Sequence, residues 1–342
     1  MRMVTWFAMV CLSSSIAGAK ESGFRDPKQV FEIIEKSKLK YTIATDSIAS
    51  FDLRSVDGTP LAYAHPNWIV SKDANGQMGL VNQTPKGCAV KEDSLATVAF
   101  TANDYKNAVA KYRAAYECDK SYVKALTYLG NSFFLMEKID SAKFWFRRAI
   151  AANPDDYQAH FFLADAYLTQ GKSDSAYFEF IEAYLRSPNN PNLRSFGEVV
   201  LQQSGKLMDK SWPVFGFSVG SSKEGVKIST SEIRHLSMAS CHAAWKFDPE
   251  FKSLRKEDDL IQQTQYKNCL ANQVVYAMMA KKDGKPLDRV SEKLLRVAEL
   301  DLVGVMVVWE RLSRSHPESI YQLAPEVKAK IHAYLALALE IQ

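Results

Sequence analysis

Between residues 89 and 204 the apolar residues recur at three- and four-residue spacing, which predicts a succession of amphipathic helices. Within that stretch the pattern returns on itself. Leu129, Gly130, Phe133, Ala142, Phe146, Ala149 and Pro154 are answered, in the same order and spacing, by Leu163, Ala164, Tyr167, Ala176, Phe180, Ala183 and Pro188. A fixed period of about 34 residues marks stacked helix pairs rather than one closed core. Gly130 or Ala164 lets two helices approach closely, and Phe133 or Tyr167 fills the space between them. Ala142 and Ala176 are the small contacts of the second helix, Phe146 and Phe180 its large ones. Pro154 and Pro188 end each pair, because proline cannot continue a helix. Asp140 and Asp174 are expected as N-caps of the second helices, and Asp155 or Asp156 as the cap of the next first helix. A weaker copy lies upstream over 89–122, with Leu95, Ala96, Ala108, Tyr112 and Ala115 in register. There Ala99 replaces the aromatic and Lys120 the proline. Residues 191–204 predict one more helix without the full signature.

The flanks read differently. Asp26-Pro27 opens a helix expected to run to about Lys38. Residues 40–70 hold short extended runs broken by Asp57-Gly58, Pro60 and Pro66. Trp68–Val70 and Met78–Val81, around Asp73-Ala74-Asn75-Gly76, predict a hairpin. A second hairpin is expected from Val214–Val219 and Gly225–Ser229. Helices follow over about 231–246 and 256–282, then from Asp288 to Leu300, through the apolar run 302–309, and up to Leu339. The chain should therefore be mainly α, divided into 1–19, 20–88, 89–205, 206–229 and 230–342.

The spaced signature resembles the tetratricopeptide repeat family, whose unit is a helix–turn–helix of this length. The resemblance implies a solenoid of about three repeats over 89–205; the C-terminal helices are either repeat-like without the signature or a bundle that covers the array's open end. It also implies a concave groove lined by the first helix of each pair. Groove-facing residues would be Lys124, Thr127, Asn131, Phe134, Gln158, Phe161, Asp165 and Leu168. Some members bind a chaperone's C-terminal carboxylate through groove lysines, asparagines and an arginine. Here only Lys124 and Asn131 suit that role, while Phe161 and Phe162 stand where polar residues are needed. An aromatic-edged groove suits an apolar or helical segment instead. Either a separate protein or the chain's own flanking segments could occupy it.

Residues 1–19 read as an export signal. Arg2 precedes the apolar run Met3–Leu12, and Ala17-Gly18-Ala19 is a cleavage pattern. That apolar run is shorter than the ~20 residues a membrane span requires. Beyond the signal four cysteines remain, which allow three pairings. In a helical hairpin the start of the first helix lies beside the end of the second, which favours Cys88 with Cys118. Cys241 and Cys269 fall on two successive helices and could pair likewise; four buried thiols are the alternative.

The formal charge of +4 is nearly balanced, too diffuse a charge for nucleic acid, and Lys281-Lys282 with Lys285 reads as a solvated helix end. No catalytic or cofactor motif is present and no metal-ligand spacing occurs. Ser240-Cys241-His242 places thiol and imidazole on adjacent residues, about 100° apart on a helix, so they cannot act together. His160, His235, His316 and His332 read as surface or helix-end residues, and Glu257-Asp258-Asp259 as a helix-start acidic run. These features point to an exported scaffold, without cofactor or metal, that binds a protein or peptide in the cell envelope or outside the cell. The alternative is an exported enzyme acting on glycan or cell-wall polymer, using convergent carboxylates and exposed aromatics such as Trp68 or Trp212.

Overall fold

The computed structural model describes residues 25–54, 68–72, 78–254, 263–321 and 323–341. The expected signal over 1–19, the His65-Pro66-Asn67 loop, the turn at 73–76 and the acidic run at 257–259 lie outside these residues.

Helix α1 (Pro27–Lys36) begins with a reciprocal cap. The Asp26 carboxylate accepts from the Gln29 backbone, and the Gln29 side chain accepts from the Asp26 N–H. Strands β1 (Tyr41–Thr45) and β2 (Phe51–Asp52) follow. Strands β3 (Trp68–Lys72) and β4 (Met78–Asn82) form the expected antiparallel hairpin, with Trp68 opposite Asn82. Seven helices come next: α2 (Cys88–Thr101), α3 (Tyr105–Cys118), α4 (Lys124–Leu135), α5 (Ile139–Ala152), α6 (Tyr157–Thr169), α7 (Ser173–Arg186) and α8 (Pro191–Gln203).

The first six of these helices pack as three pairs, and α8 stands as the first helix of a fourth. The repeat register is visible in the backbone. Asn103, Glu137, Gly171 and Gly205 each take the left-handed conformation, with φ of 59°, 59°, 69° and 72°. Each stands just after the first helix of its unit, so the period runs one unit further than the side-chain signature. Phe146 and Phe180 are fully buried. A Cβ at Gly130 would lie 2.6 Å from the Phe146 ring, so that helix contact requires glycine.

The caps differ in part from expectation. Asp156 caps α6, its carboxylate accepting from the Gln158 and Ala159 N–H groups. Asp140 and Asp174 are not caps. The second helices begin earlier, at Ile139 and Ser173, which leaves both aspartates in the first turn. There they face the positive end of the helix dipole.

The remainder of the chain holds β5 (Leu207–Met208), β6 (Val214–Phe215), β7 (Phe217–Ser222) and β8 (Gly225–Thr230). Helices α9 (Leu236–Phe247), α10 (Pro249–Lys252), α11 (Gln263–Lys282), α12 (Arg289–Glu299) and α13 (Val303–Ser315) come next. The short α14 (Glu318–Tyr321), α15 (Pro325–Leu339) and β9 (Glu340–Ile341) close the chain.

Packing gathers the chain into two units that interleave along the sequence instead of following one another as consecutive blocks. Among the described residues, one contains 25–54, 209–254, 263–312 and 326–339, the other 68–72, 78–208, 313–321, 323–325 and 340–341. The reason lies in strand pairing. β1 joins β8 in parallel and β7 joins β8 antiparallel, giving the order β1-β8-β7, and β2 pairs with β6. The expected hairpin is thus part of a three-stranded sheet. Gly225, at φ 135°, lets β8 start against β1, since a Cβ there would sit 2.2 Å from the Lys40 carbonyl oxygen.

That first unit has an unusually polar core. The Trp212 indole N–H donates to the Tyr334 hydroxyl, which donates to the buried Glu310 carboxylate. Asp209 accepts from Lys293 at 2.6 Å and from Arg289 at 3.0 Å. Asp248 accepts from the Ser37 and Tyr41 hydroxyls, which ties α1 and β1 to α9. A disulfide between Cys241 and Cys269 joins α9 to α11. In the second unit Cys88–Cys118 closes the first helix pair, with Cα atoms 5.6 Å apart. β5 and β9 pair just past α8, where Glu340 accepts from Lys206 at 2.6 Å and from Tyr177 at 2.8 Å.

Candidate functional site

The buried side of α6 carries Ala159, His160, Leu163, Ala164 and Ala166. Gln158, Phe161, Asp165 and Leu168 remain half-buried, and their spacing places them on one stripe of the helix. The equivalent stripe on α4 contains Lys124, Thr127, Asn131 and Phe134, and these two helices touch directly. The eight expected groove residues therefore form two adjoining stripes, but they do not share one character.

The end nearest the helix N-termini is closed by its own bonds. Thr127 is fully buried and donates to Asp156 at 2.5 Å. The Lys124 ammonium donates to Gln158 and lies 3.9 Å from the Asp156 carboxylate, with only 4 % of the residue exposed. Burial lowers the Lys124 pKa, and Asp156 offsets part of that shift. Gln83, at the end of the β3–β4 hairpin, accepts from the Lys124 backbone N–H. A lysine held this way is spent on structure, and the carboxylate-clamp chemistry has no free ammonium here.

The middle and far end set half-buried apolar side chains beside Asn131 and Asp165. Phe161 packs on Phe162 and on Phe196 of α8, at 5.4 and 5.0 Å between ring centroids. Phe134 leans on the buried cluster of Ala142, Phe146, Leu163 and Ala166. Two residues that the sequence reading did not select belong to this face. Leu135 is 42 % exposed and Val199, on α8, is 44 % exposed. Val199 stands two full periods after Asn131, so extending the register into 191–204 would have found it. Asp165 is half-buried, and burial raises its carboxyl above the usual range. A second exposed apolar pair, Phe144 and Phe178, occupies equivalent positions on α5 and α7, one period apart.

Several of the residues weighed for catalysis have structural partners. Trp212 is buried and bonded to Tyr334, and Trp68 packs edge-on against Tyr321 at 5.7 Å, so neither is an open aromatic platform. Cys241 is oxidised in its disulfide. His242 is buried between Phe51, Tyr266 and Gln265. His160 and His235 are not surface residues. Each is buried against a carboxylate, Glu179 at 2.7 Å and Asp288 at 3.1 Å. Among the described residues no group of three or more histidine, cysteine, aspartate or glutamate side chains is placed to hold a metal. No described helix is long and apolar enough to cross a membrane.

The family model for the tetratricopeptide repeat matches residues 129–191, from the middle of α4 to the start of α8. The chain contains tetratricopeptide repeats. No curated protein sequence matches the chain. Solved structures with similar repeats include the first TPR of Spaghetti (RPAP3) bound to an HSP90 peptide, at 18 % identity and a TM-score of 0.33. That match covers 34 % of this chain and 93 % of the other. The translocator chaperone SycD of Yersinia enterocolitica matches at 18 % identity and a TM-score of 0.30, over 34 % and 88 % of the two chains. YrrB, a TPR protein with an unusual peptide-binding site, matches at 15 % and 0.31, over 64 % and 89 %.

Proposed function

We propose that the protein is an exported, non-catalytic scaffold that holds a segment of another protein against the stripe formed by α4, α6 and α8. The observation that carries this reading is the run of half-buried Phe134, Phe161 and Leu168 with exposed Leu135 and Val199 along successive first helices. A repeat array that leaves part of such a face exposed has a surface fitted to a helical or extended partner. Export is supported by the signal-like pattern of residues 1–19 and by two disulfides, which persist in oxidising compartments.

The test is affinity capture from the envelope and culture fluid with the full chain and with Leu135→Ala and Phe161→Ala. Both variants should lose the same partner, while the circular dichroism melt stays cooperative. Recovery of identical partners by both variants would show that the groove is not the binding site. Phe134→Ala is a poorer probe, because that ring also supports the core.

A further inference from the structure

The stripe described above has an imbalance of charge that says more about its occupant. Lys124 is compensated by Asp156 and Gln158 and almost wholly covered. Two carboxylates on the array's first helices have no such partner. Asp165 on α6 is half-buried and forms no ion pair among the described residues. Asp93 on α2, one period before Thr127, is half-buried and accepts only the Tyr122 hydroxyl, at 3.1 Å. Burial raises both carboxyls above their usual range, with no cation nearby to bring them down. On α8 the corresponding positions Asn192, Ser195, Val199 and Gln202 carry no charge. The accessible charge of the stripe is therefore negative, set among apolar side chains.

We infer, building on the groove reading, that the occupant is a protein segment presenting lysine or arginine beside leucine-like side chains. A carboxylate that has lost part of its hydration without gaining a counter-charge is held at a cost in the free protein. An arriving ammonium or guanidinium removes that cost and makes a charge-assisted hydrogen bond. Leu135, Phe161 and Val199 receive the apolar side chains on either side. A segment with an acidic face, or a free C-terminal carboxylate, would meet Asp165 with the only stripe lysine already engaged. Charge thus selects the partner, while the apolar surface holds it.

The experiment uses the full chain and two fluorescein-labelled amphipathic peptides, one of leucine and lysine, one of leucine and glutamate, followed by fluorescence anisotropy. The leucine–lysine peptide should bind at least about tenfold more tightly. Asp165→Asn, which preserves shape, should weaken it about tenfold and leave the leucine–glutamate peptide unweakened. Asp93→Asn should have the smaller effect of the same sign, because Tyr122 already shares that charge. Equal affinity for the two peptides, or an unchanged constant in Asp165→Asn, overturns the inference. If Asp165→Asn is silent but Leu135→Ala and Phe161→Ala weaken binding, the charge assignment fails and the groove stands. If Leu135→Ala and Phe161→Ala leave both peptides unaffected, the groove reading itself fails.

Discussion

The repeat unit and the sheet-containing unit solve the same folding problem with opposite resources. In the repeats each helix rests on its neighbours in sequence, and burial is carried by alanines and rings such as Phe146 and Phe180. In the other unit β1 pairs with β8 and β2 with β6, strands far apart in sequence, and the interior holds Glu310, Arg311, Asn272 and Gln273. Local apolar packing tolerates a weak copy, because each pair answers mainly to the next. A buried polar network tolerates little, because one missing partner leaves another group stranded. The array can therefore vary its surface while the sheet-containing unit holds its shape.

The two disulfides offer the sharpest test of this contrast. They close loops of nearly equal length, 30 and 28 residues apart in sequence, so chain entropy predicts about 3–4 kcal/mol for each. Replacing Cys241 and Cys269 together by alanine should cost that amount across the whole sheet-containing unit, measured as protection from hydrogen exchange. Replacing Cys88 and Cys118 should loosen α2 and α3 and leave α6 and α7 protected. Equal loss of protection throughout the array would break the comparison.

Glycine substitutions come next in size. Gly130→Ala, though favourable for an isolated helix, drives a methyl into Phe146 and should cost about 1–3 kcal/mol. Gly225→Ala meets backbone rather than a movable ring, at a φ that side chains avoid, and should cost at least as much. Urea denaturation of each variant decides which unit yields first.

The smallest effect concerns acid, where Asp288 in one unit and the pair Asp93 and Asp165 in the other should act with opposite sign. Burial alone would raise Asp288, but hydrogen bonds from His235 and Ser291 hold it at about 2. Its stabilisation is present above an unfolded value near 3.8 and is lost as pH falls toward 2, a change of about 1–2 kcal/mol. Asp93 and Asp165 are raised, so around α2 and α6 they disfavour folding when ionised, and their own contribution turns favourable as they take up protons. Residue-resolved amide exchange between pH 5 and pH 3 should show the sheet-containing unit weakening first. Loss of protection first in α6 would contradict the assignment.

These contrasts also explain what could be read in advance. The helix pairs, their period and the hairpin at β3–β4 follow from local spacing, and local spacing is visible in sequence. Asp140 and Asp174 were misplaced as caps because the chain enters each second helix sooner, with Lys138 and Lys172 at the cap positions. Lys124 reads as an exposed groove cation, since its partner Asp156 belongs to the next repeat and nothing local announces their meeting. The parallel pairing of β1 with β8 leaves still less trace: Tyr41–Thr45 reads like many short strands, and its partners lie in a distant segment.

That pairing has a consequence for synthesis. Tyr41 leaves the ribosome long before Val226, its partner in the sheet. At about 5–20 residues per second, β1 waits on the order of 10–40 s with its hydrogen-bonding edge unclaimed. The repeats over 88–203 are complete before that wait ends. The emerging chain thus holds every repeat helix while β1 still lacks its partner, and a holding chaperone would find its target in the N-terminal stretch around β1 rather than in the repeats.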